Sequence, residues 1–242
     1  MPLIKFYKLN FSSQRKYLKA LNNLLGFVPG NLNLYKMAFR HKSVAITLKN
    51  GSKSSNERLE FLGDAVLGSV VAEVLFKRYP YKDEGFLTEM RSKIVSRLNL
   101  NQLAKKMGFG ELIEFDNRTI NYPNKQGSLL GDAFEALIGA VYLDKGYNFT
   151  RDFIITRIIK PHVDIHKLEL TETNFKSKLI EWCQRHGKDI SFDLTPNEEG
   201  ESAKLFTVQA SIDGEPVSTG RDYSKKNAEK LAAEKACEIL AI

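Results

Sequence analysis

A multidomain chain, with an all-α domain followed by a small α+β domain of α-β-β-β-α order, is the fold this sequence predicts on three observations. Apolar residues recur at helical spacing through residues 1–165. The polar stretch 166–173 (HKLELTET) reads as a linker. Residues 174–242 then change pattern to a helix, three alternating strands and a last helix.

In the first domain the helical spacing falls in Tyr17–Leu25, Leu59–Tyr79, Leu87–Met107 and Leu129–Leu143, with no strand-rich block. Pro29-Gly30, Asn50-Gly51, Pro80 and the stretch from Asn121 to Gly127 separate these segments as turns. An N-terminal extension, residues 1–20, carries Lys5, Lys8, Arg15, Lys16 and Lys19; packing on the domain and touching a bound partner are both open to it. In the second domain, Asn174–His186 is a helix with Phe175, Leu179, Trp182 and Cys183 on its core face, stopped by Gly187. Ile190–Leu194 and Leu205–Ile212 alternate as strands, Asp213-Gly214 is a hairpin turn, and Val217–Thr219 returns. Ser224 caps a final helix whose stripe is Ala228, Leu231, Ala232, Ala236, Ile239 and Leu240. Phe175, Trp182 and Phe206 are expected in the core of this domain.

Composition narrows the function classes. Hydrophobic residues are 43% and charged residues 27%, which excludes wholesale disorder, collagen-like repeats and a disulfide-stapled miniprotein. No apolar run approaches a membrane span, and the N-terminus has no secretory pattern. Cys183 and Cys237 lie outside metal-ligand spacings, so a reducing, cytoplasmic setting is expected, with no membrane partner. The net charge of +7 favours a polyanionic partner, nucleic acid first. That excess is uneven: residues 171–242 hold 10 Lys/Arg against 13 Asp/Glu, whereas 1–170 hold 26 against 16.

The carboxylates are the informative anomaly. Asn56 to Leu67 (NERLEFLGDAVL) is apolar nearly all round, as a buried helix is, yet Glu57, Glu60 and Asp64 share one stripe. Leu129–Leu143 contains only two charges, Asp132 and Glu135, one turn apart. Gly131 and Gly139 would let another helix approach closely. Burying unpaired acids costs several kcal/mol each, and no basic residue on these helices compensates them; Arg58 points elsewhere. An ordinary solvated acidic face is the bland reading. The sharper one is that two helices cross and pool Glu60, Asp64, Asp132 and Glu135 as a hard-cation site for Mg²⁺ or Mn²⁺, suited to phosphodiester hydrolysis. Glu84, by spacing alone, is a favourable charge at a helix start.

These residues resemble the bacterial ribonuclease III family. NERLEFLGDAVL is close to its signature, and the likeness extends to Ala38-Phe39-Arg40-His41-Lys42-Ser43, to Glu84-Gly85-Phe86-Leu87 and to Gly131-Asp132-Ala133-Phe134-Glu135-Ala136. The C-terminal helix–strands–helix with Ser224-Lys225-Lys226-Asn227-Ala228-Glu229-Lys230 is similar to the double-stranded RNA-binding domain that follows in that family. The resemblance implies a homodimeric, Mg²⁺-dependent endoribonuclease, with Mn²⁺ as a substitute and no small-molecule cofactor. It would cut both strands of duplex RNA, leave 5′-phosphates and short 3′ overhangs, and process ribosomal precursors and structured transcripts. It implies metal binding by Glu60, Asp64, Asp132 and Glu135, catalytic duty for Asp64 and Glu135, and supporting places at a dimer valley for Glu57 and Glu84.

For RNA binding, the resemblance turns an ordinary lysine face, Lys225, Lys226 and Lys230, into phosphate contacts. It places Ser177 and Glu181 of the first helix of this domain at a minor groove. It also exposes a departure: the family's Gly-Pro-x-His loop is replaced by Gly200-Glu201-Ser202-Ala203-Lys204, leaving Ser202 or Lys204 to substitute and Glu201 to repel phosphate. Weak RNA binding by this domain alone is therefore expected. His41 reads as a packed or hydrogen-bonded residue. Two other functions compete: a non-cleaving RNA-binding protein on the same fold, which would have lost some of the four acids, and an unrelated di-metal hydrolase, which would usually recruit His.

Overall fold

The computed structural model describes residues 15–116, 118, 126–170, 174–196 and 205–242. The chain forms two compact units, Met1–Leu170 and Thr171–Ile242. Among the described residues, no helix is long and apolar enough to cross a membrane.

The first unit contains α1 (Arg15–Leu25), α2 (Leu32–Ala38), a two-residue hairpin β1 (Ile46–Thr47) and β2 (Lys53–Ser54), α3 (Glu57–Arg78), α4 (Glu84–Ile94), α5 (Arg97–Lys106), α6 (Gln126–Lys145), α7 (Tyr147–Phe153) and α8 (Ile165–Leu170). Between α7 and α8 the chain winds through a π-helical stretch, Ile154–Ile159. Helices α3 and α6 are the central pair. Their facing residues, Leu59, Val66, Leu67, Val70 and Val71 against Phe134, Leu137, Ile138 and Val141, belong to one buried core.

Two glycines set how closely that pair can pack. A Cβ built on Gly63 would overlap the Glu135 carbonyl oxygen, and one on Gly139 would overlap the Leu59 carbonyl oxygen. The helices therefore meet backbone to backbone. Gly139 acts as the sequence suggests. Gly131 does so too, toward α5 rather than α3: its N–H donates to Asn101 Oδ1 at 2.7 Å.

Several expectations need correction. Residues 87–107 are two helices, because Ser96 ends one and caps the next: its hydroxyl donates to the Lys93 carbonyl (2.9 Å) and accepts from Asn99 N–H (3.3 Å). Helix α3 is not buried all round, since Phe61 is 80% and Phe76 71% exposed. The stretch His166–Leu170, read as linker, lies within α8, where Glu169 accepts a hydrogen bond from the Tyr79 hydroxyl (2.9 Å). Asn50-Gly51 closes the small β1–β2 hairpin where no strand was expected.

The ends of α2 and α6 are tied by Asp144. Its carboxylate accepts from Gly30 N–H (2.9 Å), Asn31 N–H (2.8 Å) and the Tyr35 hydroxyl (3.0 Å). Although burial raises the Asp144 pKa, these bonds hold it below the usual carboxylate range.

The second unit runs α9 (Phe175–Arg185), β3 (Ile190–Thr195), β4 (Phe206–Ile212), β5 (Glu215–Asp222) and α10 (Lys225–Ile239), the expected order. The antiparallel sheet is ordered β3-β4-β5. Asp213 and Gly214 have φ of 52° and 82°, the conformation a tight Asp-Gly hairpin needs. Gly220 lets α10 press on β5, as a Cβ there would overlap the Ala228 carbonyl oxygen. The buried face of α10 is accordingly Ala228, Ala232, Ala233, Ala236 and Cys237. Leu231 and Ile239, placed on that stripe by spacing, are exposed, and so is Phe206. Ser224 occupies the cap position of α10 without a side-chain cap bond; Asp222 Oδ1 instead accepts from Ser224 N–H at 2.9 Å.

Candidate active site and RNA-binding elements

The α3–α6 contact fixes the acids. Because Gly63 lies on the Glu135 carbonyl and Gly139 on that of Leu59, Glu60 and Asp64 of α3 flank the same crossing as Asp132 and Glu135 of α6. The other three act on Glu135. Burial, then Asp64, Glu60 and Asp132, push the Glu135 carboxyl up from 4.5 to about 7. Burial and the charges of Asp132 and Glu57 raise Glu60, and burial raises Asp132. Glu57 is exposed at the margin, 3.6 Å from Lys42 Nζ and accepting from the Ser55 hydroxyl at 3.3 Å.

Glu84 stands apart within the chain. It begins α4, accepts from the Thr88 hydroxyl (2.7 Å), and lines a shallow surface cleft with Glu73, Phe76 and Arg91.

Sequence pattern missed the basic side of this site. Arg97, Lys42 and His41 lie within electrostatic reach of Asp132, and Arg97 also reaches Glu60 and Glu135. None is on α3 or α6; each comes from a segment docked beside the crossing. His41 Nδ1 accepts from Ser43 N–H at 3.2 Å, which puts the proton of the neutral ring on Nε2. The Ser43 hydroxyl in turn accepts from Asp116 N–H at 3.0 Å. One signal for Arg97 was available: a cation in the first turn of a helix opposes the helix dipole.

No three His, Cys, Asp or Glu side chains among the described residues already stand in an ion-enclosing arrangement. The donor chemistry nevertheless fits a hard cation: four carboxylates, of which Glu60, Asp132 and Glu135 are partly withdrawn from water and Asp64 is exposed, with Glu135 raised to about 7 by burial and by the other three acids.

In the second unit, Ser177 is half-buried on α9 and Glu181 is exposed, 3.5 Å from Arg185. Lys225, Lys226 and Lys230 are exposed on the first two turns of α10. Ser202 and Lys204, together with residues 1–14, fall outside the described residues.

Comparison with known proteins agrees with both units. Residues 31–162 match a ribonuclease-III-like family model, and residues 175–240 match the double-stranded RNA binding motif. A protein named ribonuclease 3 from Bacteroides thetaiotaomicron is 42% identical over 95% of this chain and 73% of its own length. Another of that name, from Flavobacterium psychrophilum, is 42% identical over 96% of this chain and 95% of its own. The solved nuclease domain of ribonuclease III from Campylobacter jejuni superposes with a TM-score of 0.52 at 34% identity, covering 59% of this chain and 96% of that one. Fold, relatives and module order together define a double-stranded RNA endoribonuclease built as a helical nuclease with an appended RNA-binding module. The chain belongs to the ribonuclease III family.

Proposed function

We propose that the chain cuts both strands of duplex RNA with a divalent cation, Mg²⁺ in the first place, held by Glu60, Asp64, Asp132 and Glu135. The observation that supports this reading is the α3–α6 contact, beside which burial and the charges of Asp64, Glu60 and Asp132 drive Glu135 to about 7. When bound, the cation activates water and offsets charge on the phosphate. The protein's own part is to hold the four oxygen-donor groups on two rigid helices. The resulting ends are 5′-phosphates with short 3′ overhangs, and ribosomal precursors and structured transcripts in the cytoplasm are the substrates the family suggests.

We infer a homodimer from the uncovered apolar side of α3, where Phe61 and Phe76 project into solvent. A two-fold axis would give two clusters, one per strand, and would bring the outlying Glu57 and Glu84 to a shared valley. Residues 174–242 hold the duplex through Ser177 and Glu181 of α9, Lys225, Lys226 and Lys230 of α10, and Ser202 or Lys204 between β3 and β4.

The test is a long RNA duplex incubated with Mg²⁺ or EDTA, with product ends mapped. Glu135→Gln should lower cleavage by about 1000-fold while duplex binding in Ca²⁺ persists. Normal cutting by Glu135→Gln would refute the assigned role, and absence of Mg²⁺-dependent products from the wild type would favour a non-cleaving RNA-binding protein.

A further inference from the structure

Arg97 is the side chain that the acid-cluster reading leaves unexplained. It is the first residue of α5, and Ser96 caps that helix. The N-terminal half of α5 lies directly against α6: Asn101 accepts from Gly131 N–H (2.7 Å), and a Cβ on Gly131 would come within 3.7 Å of the Arg97 carbonyl oxygen. Gly131 immediately precedes Asp132, so the start of α5 is anchored beside the acids. The Arg97 side chain is exposed and, among the described residues, makes no ion pair, although it lies within electrostatic reach of Glu60, Asp132 and Glu135. Lys42 differs, being engaged by Glu57 at 3.6 Å.

Charge balance says what such a group is for. Four ionised carboxylates and one divalent cation leave a net charge of about −2, into which the reaction must bring a phosphodiester carrying another negative charge. A guanidinium fork that no carboxylate has claimed, held at the rim by a helix, offers two parallel hydrogen bonds to non-bridging oxygens. Its position in the first turn of α5 costs dipole energy, which a nearby anion offsets.

We propose that Arg97 receives the scissile phosphate, pairing with its non-bridging oxygens and thereby admitting an anionic substrate to an anionic site. The proposal rests on the active-site reading given above. Arg97 is then a substrate-contacting residue, and its removal acts on RNA rather than on the metal.

The test uses the full chain carrying Arg97→Gln, with Arg97→Lys and Glu135→Gln in parallel. Cleavage of a long RNA duplex with Mg²⁺ should show kcat/KM reduced about 100-fold in Arg97→Gln, with partial recovery in Arg97→Lys. Mn²⁺ binding to the RNA-free protein, read by electron paramagnetic resonance, should be unchanged or tighter, because a repelling cation has gone. Wild-type kcat/KM in Arg97→Gln would overturn the proposal. So would a loss of Mn²⁺ affinity together with a lowered melting temperature, which marks a purely structural role. If Glu135→Gln also cleaves normally, it is the active-site reading that has failed; if Glu135→Gln is dead while Arg97→Gln is normal, only the role of Arg97 falls.

Discussion

In the helical unit, Gly63 and Gly139 bring α3 and α6 together backbone to backbone; in the C-terminal unit, Gly220 does the same for β5 and α10. What flanks the contact differs. Beside Gly220 stand Ala228 and Ala232, methyl groups that fill the space and nothing more. Beside Gly63 and Gly139 stand Glu60, Asp132 and Glu135, partly withdrawn from water, and the exposed Asp64. The same device closes a small core in one place and crowds charges in the other. Under the proposed role, close approach creates a reactive site only where the neighbouring side chains need a cation from outside the chain to be stable together.

One added methyl group at each contact separates the two units most directly. Gly63→Ala must push the helices apart, and it should cost about 3 kcal/mol and lower cleavage by about 100-fold, since small misplacements of reacting groups are expensive. Gly220→Ala should cost about 2 kcal/mol, read in the melting of the C-terminal unit, while Mg²⁺-dependent cutting persists. Equal losses of cutting in the two variants would erase the distinction between the units.

Electrostatics sharpens the contrast further. Residues 171–242, tested alone by gel shift, should retain duplex RNA poorly at physiological salt, because their acids outnumber their bases. Tight retention would show that local lysine placement outweighs net charge. In the full chain, Lys226→Ala with Lys230→Ala should weaken binding and reduce the salt slope by about 2, leaving metal dependence untouched.

The smallest effect is a pH dependence. The folded protein holds the Glu135 proton up to about 7, above the ordinary 4.5, so the metal-free chain binds more protons folded than unfolded between those values. Its melting temperature in EDTA should therefore fall as pH rises from 4.5 to about 7 and then level off, with Mg²⁺ abolishing the fall. The depressed Asp144 works in the opposite sense, losing stability as pH drops through the acid range.

Much of this was legible in the sequence. Helical spacing located α3 and α6, because both have long apolar runs. Asp213-Gly214 announced its hairpin, because few residues accept positive φ there. The four acids stood out against apolar surroundings. What escaped was whatever depends on a neighbour distant in sequence. Gly63 sits inside the signature stretch, yet its purpose appears only when Glu135 lies against it. Arg97 and Lys42 face the acids from segments with no periodic relation to them. Phe61 looked like core because periodicity cannot tell which apolar residues the chain itself will cover. Ser96 splits one expected helix into two through hydrogen bonds that a run of helix-forming residues hides.

The Asp144 latch joins residues 114 positions apart, at Gly30 and at the end of α6. A polypeptide still leaving the ribosome cannot fasten it until nearly the whole helical unit has been synthesised, and the acids of α3 wait for those of α6 in the same way. Loop closure on that scale comes late. If the four acids cut as proposed, an unfinished chain carries no assembled cutting centre.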